Sequence, residues 1–381
     1  MKLKKTITLL FIAVIFPFIT LNVNAETTMD EISSSLQNEL ENFESALPDS
    51  VKDILPKDIF DLNIDDFEIN KISQKTFIDS ALDHLFAYIP NILSSVSLIL
   101  ITIIISAIFN NVSNSLEAHS LKDAYGFCSS LCISLTVYNF LATVCVTSIS
   151  YMKELCGVMT SFAPLMTAIQ LMSGKISTAA LGNASFTMFI ALVENILIVF
   201  TVPIVKSCFC FLLVKSVSGE KDIGGFIRLI KSTFLTLTGF TMMIFSFVFS
   251  FQSVLTQSAD SLSIKTARFA IGSFIPIVGH SISDALSTVT SSLSFIKSTC
   301  GVIALIALVV MTLPVIISVY LNKLFMDLCS SLAGIIGCEN EKAMLADASG
   351  IISFLLALIL YTCVFFIYAI TVFIKTSVGV G

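Results

Sequence analysis

Long apolar runs without charged residues are the feature that most restricts what this chain can fold into. The 293 residues after Tyr88 carry only 12 acidic and 14 basic side chains. The whole chain of 381 residues is 55% hydrophobic and 13% charged, with a mean hydropathy of +0.93. Since a soluble protein is about a quarter charged, a soluble multidomain protein is excluded. The chain is predicted to be a polytopic membrane protein.

The apolar runs are long enough to cross a bilayer as helices, because a hydrocarbon core about 30 Å thick takes about 20 helical residues. We predict an all-α fold with a multi-pass domain over residues 89–381 and about seven or eight membrane segments. One of these segments is a hairpin at 262–296. The other predicted spans are 89–109, 127–149, 155–173, 179–205, 232–256, 300–321 and 349–374.

The first 25 residues have the pattern of a secretory signal peptide. Three lysines near the start precede an apolar run over 7–19, which ends in the small-residue exit Val23-Asn24-Ala25. We predict cleavage after Ala25. The alternative is an uncleaved anchor, for which an apolar core broken by Pro17 is short.

Residues 26–88 are predicted to form a small acidic helical segment outside the cytoplasm. This segment holds 15 acidic residues against 4 lysines. Apolar residues at helical spacing predict a first helix that ends at Pro48. Its exposed faces suit a protein partner, and a solvated acidic linker is the alternative. The apolar stripe consists of Ile32, Leu36, Leu40, Phe43 and Leu47.

The segment 262–296 combines an apolar stretch with helix-breaking and polar residues. A break at Pro276 and Gly279 predicts a re-entrant or kinked hairpin, because irregular backbone at membrane depth must be buried in protein or face water. The hydroxyl face that follows could line an aqueous passage or pack closely on another helix. This face consists of Asp284, Ser287, Ser291, Ser294 and Ser298, with Lys297 near its end.

Glu194, next to Asn195, lies in the middle of the run 179–205. A carboxylate at this depth needs a partner or water, since a charge in the bilayer costs at least a few kcal/mol. Two readings stay open, an interhelical hydrogen bond and an ion relay.

The segment 206–231 contains the largest basic cluster and favours the cytoplasm. If the leader is cleaved, the mature chain starts outside the cytoplasm. Four complete spans before residue 206 would then place this segment outside again. We therefore predict that one of the first four runs does not cross, and that this run is 155–173, which contains Pro164. The cluster consists of Lys206, Lys215, Lys221, Arg228 and Lys231.

The sequence carries no specific catalytic motif, since its S-x-x-K match at Ser294 and Lys297 is expected by chance in so serine-rich a stretch. It contains no H-E-x-x-H, G-x-S-x-G or G-x-G-x-x-G pattern. Gly174-Lys175 fails the P-loop pattern, because position 169 is isoleucine and no Ser or Thr follows the lysine. The ten cysteines lack zinc-site spacing and the three histidines are far apart. We predict a protein that is not an enzyme and that has no cofactor and no metal.

Four short segments between 264 and 301 resemble the stage III sporulation protein AE family. They are Ile264-Lys265-Thr266-Ala267-Arg268-Phe269-Ala270, Phe274-Ile275-Pro276-Ile277-Val278-Gly279, Ser283-Asp284-Ala285-Leu286 and Lys297-Ser298-Thr299-Cys300-Gly301. The signal-like leader, the acidic segment and the closing apolar span agree with this resemblance, which covers nearly the whole chain.

The resemblance implies a multi-pass protein in the mother-cell membrane around the forespore of an endospore-forming bacterium. Its implied role is in a transenvelope, secretion-like channel complex that links the two cells and is required for late forespore development. The implied partners are other stage III sporulation proteins of the same operon, including a cytoplasmic ATPase and ring-forming bitopic membrane proteins, and a forespore-side membrane protein. Independently of the resemblance, the sequence has no basic balance and no Arg-rich patch, so nucleic acid is not a predicted partner.

Two other functions stay open at this point. The rival function is a secondary transporter or permease of a small solute, and the third is a structural anchor without conduction. We predict that eight residues act in assembly or in a conduit: Glu194, Pro276, Gly279, Asp284, Ser287, Ser291, Lys297 and Gly301.

Overall fold

The structure is a computed structural model that describes residues 29–52, 90, 92–94, 96–109, 111–112, 119–218, 223–274 and 279–375. These residues are almost entirely helical and include no β-strand. The helices are α1 (Met29–Ala46), α2 (Asp49–Lys52), α3 (Ile92–Phe109), α4 (His119–Met172), α5 (Ile176–Glu194), a π-helix (Asn195–Phe200), α6 (Thr201–Ser218), α7 (Ile223–Phe274), α8 (Gly279–Ile335) and α9 (Glu339–Lys375).

Six helices in the described part of the chain are long and apolar enough to cross a membrane: α3, α4, α5, α7, α8 and α9. Three of them, α4, α7 and α8, have 54, 52 and 57 residues. A span takes about 20 residues, so these helices must tilt or continue beyond the hydrocarbon. Helix α4 contains both of the runs 127–149 and 155–173 as one continuous helix.

Two tight turns connect long helices through glycines with positive φ. Gly174 (φ 73°) ends α4 and Gly337 (φ 87°) ends α8. In each turn the next backbone N–H bonds back to a carbonyl five residues earlier, from Lys175 to Gln170 (3.0 Å) and from Cys338 to Ala333 (2.9 Å). Glycine at this position is the usual end of such helices, because it has no Cβ to clash. The glycines therefore make α4 and α5, and α8 and α9, neighbouring antiparallel pairs.

The core of the bundle lies around α9. Its apolar span is 56% buried, whereas the apolar span of α7 is only 22% buried. Phenylalanines fill it. Phe189 stacks on Phe365 with ring centroids 3.6 Å apart, and Phe186 meets Phe373 edge-on at 5.1 Å. Rings of this size contribute much of the apolar burial and dispersion contact in a core.

Contacts between distant residues distinguish two ends of the bundle. At the amino-terminal end, Phe43 of α1 packs against Phe162 of α4. The apolar stripe of α1 is buried in this contact, with Leu36, Leu40, Phe43 and Leu47 at most 5% exposed.

At the other end, which we call the basic end, Ser106 of α3 donates a hydrogen bond to Glu341 of α9 (2.6 Å). Lys215 of α6 forms an ion pair there with Asp347 of α9. Phe162 also contacts Phe186, which meets Phe373 near the end of α9, whereas Asp347 lies near the start of α9. Helix α1 and Lys215 therefore lie at opposite ends of the bundle.

Candidate functional site

The uncharged segments 298–322 of α8 and 348–374 of α9 define the depth of the hydrocarbon core. The hydroxyl of Tyr151 in α4 hydrogen-bonds to the hydroxyl of Thr312 near the middle of the first segment. Tyr151 also lies close to Cys363, near the middle of the second. The middle of α4 is therefore at the middle of the core.

Three charged side chains occupy this depth on the outer surface of the bundle. Lys153 and Glu154 follow Tyr151 within one helical turn, and both are exposed. Glu194 of α5 is also exposed, and its carboxylate interacts electrostatically with Cys156 of α4. The ion pairs found among the described residues include none of these three. A charge at this depth costs about 2.5–3.5 kcal/mol on the insertion scale, so each of them disfavours contact with lipid.

Polar and small residues continue from these charges along both helices. Exposed positions recur at helical spacing over 139–160 in α4 and over 184–195 in α5 and the start of the π-helix. Between positions 139 and 160 of α4, Val146 is the one large apolar side chain that is exposed. We call this surface the polar face. It comprises Asn139, Thr143, Ser150, Lys153, Glu154, Gly157 and Thr160 of α4, Ala184, Thr187, Ala191 and Glu194 of α5, and Asn195 at the start of the π-helix.

Helix α7 presents the opposite kind of surface. Its exposed side chains are large and apolar, including Phe240 (60% exposed), Met243 (70%) and Phe247 (71%). Such a surface suits acyl chains, whereas a face with three charges does not. The bundle thus has one side that fits lipid and one that requires water or protein.

An irregular stretch of backbone adjoins the polar face. The π-helix starts directly after Glu194, and the side-chain amide of Asn195 donates to the carbonyl of Ala191 (2.7 Å). Thr201 Oγ1 donates to the carbonyl of Ile196 at 3.4 Å. π-helices are rare in proteins, and those that occur often lie at functional sites. We therefore take Glu194 and Asn195 as the centre of the candidate site.

A second polar contact joins α7 to the start of α5 at the amino-terminal end. Asp260 is 3% exposed, and its carboxylate accepts hydrogen bonds from the backbone N–H groups of Ser177 (3.0 Å) and Thr178 (2.8 Å). These groups have no partner within the helix, and a helix N-terminus favours a negative charge. Burial lowers the pKa of nearby Lys175, and the negative charge of Asp260 partly offsets this effect.

Asp260→Ala is expected to lower the free energy of unfolding by about 2 kcal/mol, because two hydrogen bonds to a charged group are lost at a helix N-terminus. Thermal unfolding of the purified protein in detergent measures the change. Ser258→Ala is the control, since this exposed hydroxyl bonds only to a carbonyl of its own helix. Equal unfolding temperatures for the two variants would show that Asp260 does not stabilise the contact between α7 and α5.

The structure places the predicted site residues in different regions. Glu194 is part of the polar face, whereas Gly301 is buried near Ile374 at the amino-terminal end. Gly279 is the first residue of α8, and Pro276 lies outside the described residues. The remaining predicted residues, Asp284, Ser287, Ser291 and Lys297, lie on the helical backbone of α8, and their side chains are outside the described part.

Lys153, Glu154 and Asp260 were not among the residues predicted from the sequence. Lys153 lies between the predicted spans 127–149 and 155–173 and Glu154 directly before the second, but both residues continue one helix. The available signal was that these charges lie at helical spacing from Ser150 and Gly157. Asp260 gives no such signal, because its partners are more than 80 residues away.

No three histidine, cysteine, aspartate or glutamate side chains within the described ranges could together hold a metal ion.

The chain is similar to the stage III sporulation protein AE of Bacillus subtilis (strain 168). The two are 25% identical over 222 residues, which cover 56% of this chain and 53% of that protein. The match thus spans about half the length of the relative. No solved structure matches the chain.

A sequence model of the family described as stage III sporulation protein AE matches residues 61–377. This range contains α3 to α9 and both parts of the polar face. Because the match covers most of the chain, this protein belongs to the stage III sporulation protein AE family.

Proposed function

We propose that this protein is a non-enzymatic membrane subunit of a channel complex that links the mother cell and the forespore and supports late forespore development. Family membership supports the role in sporulation, and the apolar helices support a place in the membrane. The polar face is the observation that supports a channel. Charged residues at bilayer depth almost always face a bundle interior or a water-filled cavity. In the assembled complex, the polar face borders the aqueous passage.

The proposed orientation puts helix α1 outside the mother-cell membrane, toward the forespore, and the segment 206–231 in the cytoplasm. Two observations support it: these regions are at opposite ends of the bundle, and basic loops favour the cytoplasmic side. A cytoplasmic ATPase of the same operon then meets the basic end. The ring-forming bitopic proteins and the forespore-side membrane protein meet the amino-terminal end.

A secondary transporter is the second candidate, because the π-helix beside Glu194 interrupts a helix at membrane depth. Transporters often bind substrate at interrupted helices near the midplane. The discriminating experiment is reconstitution of the purified chain in liposomes. Saturable uptake of a solute by the chain alone would favour the transporter over a channel subunit.

Cysteine accessibility in permeabilised sporulating cells tests the aqueous position of the polar face. We expect a membrane-impermeant thiol reagent to label Ser150→Cys, because thiols react as thiolates, which require water. Phe247→Cys is the matched control on the apolar surface of α7 and is expected to stay unlabelled. Labelling is read on the peptide that carries the new cysteine, since the chain has ten of its own. Absence of label at both positions would show that the polar face is covered and would overturn the aqueous assignment.

A further inference from the structure

A small cavity lies at the amino-terminal end, where α4, α5, α7 and α9 meet. Its volume is about 20 Å³, which exceeds the roughly 10–15 Å³ that one water molecule needs. Its polar lining comes from Gln170 of α4, Thr178 of α5, and Gln252, Ser253 and Thr256 of α7, while Phe249 and Phe373 close the apolar side.

Gln170 has no hydrogen-bond partner for its side-chain amide, although the residue is only 1% exposed. Both the amide oxygen and the amide nitrogen are unpaired, and so is the hydroxyl of Thr178, which is 3% exposed. Buried polar groups are nearly always hydrogen-bonded. Three unpaired atoms around one cavity therefore indicate a bound ligand.

The neighbouring polar groups are already committed to other bonds. Gln252 accepts a hydrogen bond from Ser185 (2.5 Å) and donates one to the carbonyl of Leu181 (2.7 Å). Thr256 donates to the carbonyl of Gln252 within its own helix (3.1 Å). No protein group on the wall bonds to the side-chain amide of Gln170. Its partner must therefore be a molecule inside the cavity.

The chemistry of the lining selects the ligand. The amide of Gln170 presents a donor and an acceptor, so its ligand must both accept and donate. A cation would leave the amide N–H groups unpaired, an anion would leave the amide oxygen unpaired, and no ionised side chain lines the cavity to balance either charge. We propose that this cavity binds ordered water, about one or two molecules by volume, which links Gln170 of α4 to Thr178 of α5. This site does not depend on the proposed channel.

A double-mutant cycle on the full chain in detergent tests the water site. Gln170→Leu and Thr178→Val remove the two polar groups with little change in shape. If water joins them, each single variant has a lower unfolding temperature, and the double variant falls no further than the worse single variant. If the groups are orphaned in a dry cavity, each single change raises the unfolding temperature or leaves it unchanged. Strictly additive losses would indicate separate packing effects. Either of these two results would overturn the proposal.

Radiolytic hydroxyl-radical labelling gives an independent readout, because internal water generates radicals beside it. Phe373 lines the cavity, whereas Phe366, about two turns away on the same helix, is fully buried and does not line it. We expect more modification at Phe373 than at Phe366. In the Gly182→Ala variant we expect less modification of Phe373 than in the unchanged protein. The added Cβ would lie 3.5 Å from Phe373 Cζ and 3.7 Å from Gln170 Oε1, which are ordinary contacts that reduce the cavity without strain. Equal modification of both rings would exclude water there.

Discussion

Replacing Glu194 by leucine is expected to abolish sporulation while the amount of the protein in the membrane stays the same. The change removes a charge at the centre of a span, where on the insertion scale a charge costs about 2.5–3.5 kcal/mol. The isolated bundle is therefore not destabilised. On the proposed function, the loss falls on the assembled complex, whose passage or partner contact would require the polar face. Heat-resistant spore counts and membrane-fraction immunoblots measure the two effects.

Two further variants separate charge from polarity and from position. Glu194→Gln keeps a polar side chain of the same shape and removes the charge, so normal spore counts for this variant alone would indicate that polarity suffices. Phe247→Leu on the apolar surface of α7 is the matched control and is expected to sporulate normally. Normal sporulation of Glu194→Leu would contradict the assignment of the polar face as the functional site.

Gly301→Ala is expected to lower the free energy of unfolding by about 1–3 kcal/mol through overpacking. A Cβ at this position would lie 2.4 Å from both Cγ1 and Cδ1 of Ile374. Helix α9 must then shift or the isoleucine must leave its rotamer. Thermal or denaturant unfolding of the purified protein in detergent measures the cost.

A compensating change makes this prediction specific. Ile374→Ala removes both clashing carbons and leaves its own Cβ 3.8 Å from the new methyl group. The double variant Gly301→Ala, Ile374→Ala should therefore lose less stability than the sum of the two single variants. Gly126→Ala is the control, because no atom lies within 4 Å of its added Cβ. It is expected to be neutral or slightly stabilising, as alanine favours helix over glycine. A similar loss at Gly126 and Gly301 would contradict the contact with Ile374.

The sequence was enough to predict an all-α membrane protein, because long uncharged apolar runs have few alternatives to membrane helices. The boundaries inside α4 were harder. Hydropathy separates 127–149 from 155–173 because Lys153 and Glu154 lower the local average, but a charged pair does not interrupt backbone hydrogen bonds. Lysine and glutamate are both good helix formers, so the helix continues through them.

The candidate site could be predicted only in part. Glu194 is apparent in the sequence because it stands alone in an apolar run. The polar face also needs α4 beside α5, and this pairing depends on the turn at Gly174. The joint at Asp260 and the cavity at Gln170 depend on contacts between residues more than 65 positions apart, which local periodicity does not encode.

The great length of the helices has a mechanical consequence. Helix α8 has 57 residues, which makes a rod of about 85 Å at 1.5 Å per residue. If such a rod turns by about 10° around its midpoint, each tip moves by about 7 Å in opposite directions. A lever of this size can turn a push at one end of the bundle into a displacement at the other end, with no diffusing messenger.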